Sequence, residues 1–130
     1  MKLNTSTLYG LLAVGYIARN QDKGLVSSQV IAKQYNIPLD YFLKIMLELV
    51  RANILRSKRG PHGGFFLARS PEKITMLEAI EAVQGLLSSD LFLSERAPTE
   101  NFATKAQKTS DKAFTQARNV LKAVKLSDLI

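Results

Sequence analysis

Apolar residues recur at helical spacing from near the start of the chain, where Leu8, Leu11, Leu12, Tyr16 and Ile17 mark one helix that Thr5 or Ser6 can cap and that runs to Asn20. Asp22-Lys23-Gly24 breaks it. A second, short helix follows a cap at Ser27 or Ser28 and carries Val30, Ile31, Ala32 and Tyr35. Asn36-Ile37 then makes a tight turn before Pro38, a residue favoured at a first helical turn. The spacing predicts a third helix from about Pro38 to Ala52. Its buried face is Phe42, Ile45, Met46 and Leu49, and Asp40, Lys44, Glu48 and Arg51 form the opposite polar stripe. Asn53, tolerant of the left-handed conformation, ends it.

The period then changes. Ile54 to Lys58 and Phe65 to Ala68 read as two short strands around a glycine-rich turn, where Gly60, Gly63 and Gly64 supply positive-φ freedom. Ser70-Pro71 stops this hairpin. Thr75 caps a fourth helix with Met76, Leu77, Ile80 and Val83 on its apolar side, closed by Gly85. Residues 86–104 have no clear period and read as a loop of irregular or mixed structure. The last long helix runs from about Asn101 to Val124. It repeats Ala106, Ala113 and Val120 every seven residues, with Ser110, Ala117 and Val124 four residues after each, and Phe114 and Leu121 widen the stripe. Because a domain of this size has little surface left to bury a further full stripe, a dimerising helix is the expected use.

Charge is unevenly placed. The net charge of +7 lies in residues 1–70, which hold ten Lys and Arg against three Asp and Glu, while residues 71–130 hold eight of each. A basic front half followed by a balanced back half points to a polyanion-binding module joined to a protein-contacting one. At 46% hydrophobic the chain can bury a core, yet no apolar run approaches the ~20 residues of a membrane span. The opening Met1-Lys2-Leu3-Asn4 leads into a helix rather than a signal peptide, so a cytoplasmic protein without membrane partners is expected.

Helix, turn, helix and then a cationic hairpin is the order of a winged-helix DNA reader. In that geometry the second helix of the pair presents its N-terminal side chains to the major groove. Ser28 opens the pair, and Pro38, Leu39, Asp40, Tyr41, Leu43 and Lys44 are the reading positions. Tyr41 and Lys44 can bond phosphate or base edges, Asp40 can accept from cytosine, and Leu43 can lie against a thymine methyl. Lys58, Arg59, Gly60 and His62 belong to the hairpin tip, which can approach a phosphate backbone or enter a minor groove.

Other chemistries find little support. The glycine turn lacks the Gly-Lys-Ser/Thr ending of a nucleotide loop. The chain has no cysteine, and His62 is its single histidine, which leaves no thiolate ligand, no cysteine nucleophile and no credible triad. Carboxylates at Asp90, Glu95 and Glu100 could offer oxygen to a hard cation, but solvated loop residues are the plainer reading. No enzyme activity, metal or cofactor is expected.

The stretch from Leu25 to Gly85 resembles the Rrf-type winged-helix transcriptional regulators. The match is carried by Arg59-Gly60-Pro61-His62-Gly63-Gly64-Phe65-Phe66-Leu67-Ala68-Arg69, by Ile74-Thr75 and by Ala79-Ile80-Glu81-Ala82-Val83-Gln84-Gly85, and the chain's two ends match as well. The resemblance implies a homodimeric bacterial transcription factor that binds an imperfect palindrome, with the long C-terminal helix as dimer interface. It also implies DNA contacts at Tyr41, Leu43 and Lys44 and at Arg59-Gly60. This chain departs from the family at Ser6 and Leu8, where basic residues are common, and at Leu43, Leu47 and Val50, which are commonly polar. Cluster-binding members carry three cysteines in the loop equivalent to residues 86–104. Here that loop has Ser88, Ser89, Ser94, Ala97, Thr99 and Ala103, and an iron–sulfur cluster needs soft anionic ligands.

The expected molecule is therefore mainly α: a winged helix-turn-helix with a two-stranded β wing over residues 1–85, a loop over 86–104, and a dimerisation helix with its tail over 105–130. Ala106, Ala113, Phe114, Ala117, Val120, Leu121 and Val124 are the expected dimer contacts. The expected partners are double-stranded DNA bearing a palindromic operator, a second copy of the chain, and an unidentified small-molecule or protein effector, with repression the expected outcome. A winged-helix protein-interaction module docking through Leu43, Leu47 and Val50, or an RNA-binding winged helix, are the rival readings.

Overall fold

The computed structural model describes residues 2–89 and 91–130. Helix α1 spans Thr5–Arg19, and its cap is Asn4, whose side chain accepts from the Thr7 amide at 2.9 Å. Thr5 and Ser6 do not cap it. The Ser6 hydroxyl is instead bonded to the Tyr41 hydroxyl, and Thr7 donates to Gln84 Oε1 at 2.7 Å. The buried side of α1 is Thr7, Gly10, Ala13, Val14, Ile17 and Ala18, with Leu8 left exposed. Gly10 must be small, since a β-carbon there would lie 2.8 Å from Val83 Cγ2 of helix α4 (Met76–Gln84), which packs against α1.

Helices α2 (Ser28–Tyr35) and α3 (Leu39–Arg51) form the helix-turn-helix. Ser27 caps α2, its side chain accepting from the Gln29 amide, and Asn36 closes it in the left-handed conformation at φ 54°. Pro38 stands one residue before α3 rather than inside its first turn. The buried face of α3 is Phe42, Ile45, Met46 and Leu49, as its period predicts. Burying a side chain such as Phe42 contributes about 2–3 kcal/mol, so this face holds α3 rigidly against α1, α2 and α4. Val30 is exposed, whereas Ile31 and Ala32 carry the inner side of α2.

Strand β1 (Leu55–Lys58) pairs antiparallel with β2 (Gly64–Leu67), in the register Leu55 to Leu67 through Lys58 to Gly64. Arg69 and a single turn of tight helix at Pro71–Lys73 lead into α4 (Met76–Gln84), whose N-terminus is a capping box of Thr75 and Glu78. Each side chain there satisfies the other's backbone N–H. Within the stretch read as a loop lies a one-turn helix, α5 (Leu93–Arg96), held by the Leu93 amide donating to Gln107 Oε1 at 2.9 Å.

Helix α6 (Asn101–Lys122) is followed by a one-turn α7 (Leu126–Leu129). The chain returns here to the winged-helix body: Met76 N donates to Val124 O at 2.8 Å, Leu126 N donates to Ile74 O at 2.9 Å, and the Leu126 side chain is buried. One core of residues from α1, α2, α3, β1 and α4 thus includes Leu126 from the tail. No described helix is long and apolar enough to cross a membrane.

Candidate nucleic-acid interface

The wing is built on a third, two-bond edge that the strand pattern alone does not reveal. Val26 and Phe65 exchange both backbone hydrogen bonds, at 3.0 and 2.8 Å, so the residue just before the α2 cap is tied to the outgoing wing strand. Gly64 permits this approach, since a β-carbon there would lie 2.7 Å from Val26 O. At Gly63 a β-carbon would collide with Lys58 O. Close approach, rather than positive φ, is therefore the requirement at these two glycines. Positive φ occurs at Gly60, at 111°. Gly60 O accepts from Gly63 N at 2.9 Å, closing a four-residue turn with Pro61 at its favoured second position.

These constraints bring Ser28, Lys58, Arg59 and Gly60 together. With Ser27 and Gln29 they line a cleft of about 500 Å³ between the start of α2 and the wing. Lys58 and Arg59 are exposed there. The arrangement presents side-chain hydroxyls, helix-terminal amides and two cations to one concavity, a set suited to phosphate oxygens. His62 is exposed on the other side of the turn, over a shallower depression with Tyr16, Lys23 and Val30.

The second group of site residues lies on α3. Asp40, Tyr41, Leu43 and Lys44 are all exposed, and Pro38 is exposed immediately before them. Tyr41 is not a loose side chain. Its hydroxyl is bonded to Ser6, and its ring meets Tyr9 edge to face with centroids 5.8 Å apart. The first helix thereby fixes an exposed side chain of the third, a role for Ser6 and Tyr9 that residue type alone does not announce. The place of Val26 and Gln29 beside the wing is equally illegible in residue type, and that of Ser27 goes beyond its cap, because it depends on a pairing thirty-nine positions long, from Val26 to Phe65.

The apolar stripe of α6 divides in two. Leu121 packs with Leu77, Ile80 and Leu87 of its own chain, Phe114, Ala117 and Val124 are half-buried, and Ala103 is buried. Ala113 is exposed, Val120 is 67% exposed, Phe102 is 77% exposed and Ala106 is half-buried. Arg118 locks α6 to α4: its Nε and Nη2 donate to the two Glu81 oxygens at 3.1 and 3.0 Å, and Glu81 Oε2 also accepts from Leu87 N at 2.7 Å. The Arg118 hydrogen bonds, helped by the Leu87 amide and the guanidinium charge against the cost of burial, hold the Glu81 carboxyl below its ordinary value. Alongside, Lys2, Leu86, Ser89, Leu91, Ser110 and Phe114 surround a half-open cavity of about 530 Å³, with the Ser110 and Ser89 hydroxyls 2.6 Å apart.

The donors in this region do not suit an iron–sulfur cluster. The sequence supplies no thiolate, and among the described residues no three His, Asp or Glu side chains gather within reach of one metal. Asp90 lies outside the described residues; Glu95 and Glu100 are exposed.

The whole arrangement has relatives. A family model described as Rrf2, iron-dependent transcriptional regulator, matches residues 3–130. The HTH-type transcriptional regulator IscR of Cereibacter sphaeroides is 38% identical over 86 residues, covering 65% of this chain and 56% of that protein. CymR of Bacillus subtilis is 29% identical over 100 residues, covering 77% and 72%. The chain spans 56%, 65% and 57% of the length of relatives from Aquifex aeolicus, Rhodopseudomonas palustris and Synechocystis. Among solved structures, that of CymR, the global cysteine regulator of B. subtilis, superposes with a TM-score of 0.84 at 26% identity over 99% of this chain and 95% of that one. IscR of T. potens gives 0.70 at 26% identity over 99% and 85%. These are winged-helix regulators and not enzymes, and with the family match running from the first helix through the C-terminal tail, the chain belongs to the Rrf2 family of transcriptional regulators.

Proposed function

We propose that the chain is a homodimeric, DNA-binding repressor that reads a palindromic operator through α3 and the wing, without an iron–sulfur cluster. The observation that carries this reading is the exposed cationic wing, tied to the N-terminus of α2, in the half of the chain that holds the whole charge excess. Phosphate neutralisation by such cations supplies sequence-independent affinity, and α3 supplies the base contacts. A dimer built on the outward side of α6, through Phe102, Ala106, Ala113 and Val120, would present two such units to two half-sites and so favour a palindrome. Repression is the outcome where such an operator overlaps a promoter and excludes polymerase from it.

The protein-docking alternative needs Leu43, Leu47 and Val50 as one surface. Val50 is instead half-buried against the core, which leaves that surface incomplete. The cavity beside Ser89, Ser110 and Phe114 touches both the 86–89 segment and α6, and is where a small-molecule effector would act on the dimer. Selection of bound duplexes from a randomised library tests the proposal: recovery of a two-fold symmetric sequence is expected, and failure to enrich any duplex, or enrichment of RNA in a parallel selection, overturns it.

A further inference from the structure

Helix α3 turns an unusual surface outward for a helix that reads bases. Along its 3.6-residue repeat, Asp40, Leu43, Lys44, Leu47 and Arg51 fall within roughly a third of the circumference, opposite the buried Phe42, Ile45, Met46 and Leu49. Leu43 is 41% exposed and Leu47 is 47% exposed, one turn apart. Arg51, at the far end, is paired with Glu48 at 2.9 Å. The strip therefore carries no asparagine, glutamine or uncommitted arginine for bidentate base contacts, and its centre is hydrocarbon.

The major groove offers one apolar group on its base edges, the thymine C5 methyl. We infer that Leu43 and Leu47 form an apolar reading pair that selects thymines by their methyl groups, with Lys44 and Tyr41 setting the register beside them. This rests on the DNA-binding reading above and adds what the helix reads. A leucine pair held in water exposes apolar surface at a cost that contact with methyl groups removes, whereas cytosine or a purine edge opposite it would lose hydrogen bonds to water without replacement. Tyr41, fixed by Ser6 and Tyr9, limits how α3 can roll, so the pair meets the same base steps each time.

The test uses the duplex recovered from library selection, resynthesised with deoxyuridine in place of thymidine at each position facing α3, which removes the methyl and changes no hydrogen-bonding group. Each replacement is expected to weaken binding about fourfold, the value of one buried methyl. The same replacement should cost the Leu43→Ala or Leu47→Ala protein much less, giving measurable coupling in a double-mutant cycle. Both leucines are exposed and alanine is a strong helix former, so these variants keep the fold, which circular dichroism checks. A selected operator without thymines opposite α3, or equal affinity for thymidine and deoxyuridine duplexes, overturns the inference while leaving DNA binding intact. Absence of any sequence-specific duplex overturns the DNA reading and this inference together.

Discussion

The guanidinium of Arg69 is committed inside the chain, where it donates to Asn53 O at 3.2 Å, to Lys73 O at 2.9 Å and to Glu78 Oε1 at 3.1 Å. Arg59 is exposed at the wing and has no such contacts among the described residues. The two arginines should therefore separate in assays: Arg59→Ala lowers duplex affinity with an unchanged melting midpoint, and Arg69→Ala lowers stability by about 1–2 kcal/mol with little direct effect on affinity. Urea unfolding beside a binding titration reads both, and a destabilised Arg59→Ala protein with normal affinity would reverse the assignment. Glu81 gives a pH signature. Its carboxyl is held low in the folded chain by Arg118 and the Leu87 amide, so its stabilising effect is present above the ordinary carboxylate range and is lost as pH falls through the lowered folded value. The stability gap between wild type and Glu81→Gln should then be widest near neutral pH and shrink under acid, as denaturation midpoints across a pH series will show. Much at this scale is legible in residue type, as with the Thr75 cap. The reason for Gly63 and Gly64 is not, because what they must avoid, Lys58 O and Val26 O, comes from pairing rather than from neighbours in sequence.

Among the elements, α3 is the most readable, since a single period assigns its buried face and nothing in the fold competes with it. Helix α6 is less so. Its seven-residue repeat marks an apolar stripe, but a stripe does not say which of its two edges meets the chain's own body and which stays exposed. That division is made by distant partners, Leu77, Ile80 and Leu87 taking Leu121, and Glu81 taking Arg118. The return of α7 onto Ile74 escapes the sequence for the same reason. Consequently two substitutions one residue apart should differ in kind. Val120→Glu places a charge on the outward edge and should give folded monomers in sedimentation. Leu121→Ala should leave the dimer assembled while lowering stability by about 2 kcal/mol, through the cavity left against α4. Monomers from Leu121→Ala together with intact dimers from Val120→Glu would put the interface on the other edge of the helix.

For the molecule as a whole, sensing and binding can be tested apart. Anaerobic reconstitution with iron and sulfide should leave the protein colourless with unaltered operator affinity, because hydroxyls and scattered carboxylates are poor substitutes for thiolates. Stoichiometric iron with a charge-transfer spectrum, and affinity that changes on oxidation, would overturn the cluster-free reading. Binding itself should follow counterion release, with log affinity falling linearly in log salt at about 0.9 per phosphate neutralised. Lys44, Lys58 and Arg59 are exposed cations of the proposed surface in each protomer, while Arg51, also exposed, is paired with Glu48. Six in a dimer give a slope of about −5. Arg59→Ala removes one cation from each protomer and should lower the magnitude by about 2, whereas Leu43→Ala should weaken binding without altering the slope. Val120→Glu, if it yields monomers, should bring the slope to about half, because only one unit then engages a half-site. A titration of these proteins between low and moderate salt separates charge, apolar readout and assembly in one data set. A flat wild-type slope would remove the electrostatic basis of the DNA reading, and an unchanged slope in Arg59→Ala would take the wing out of the interface.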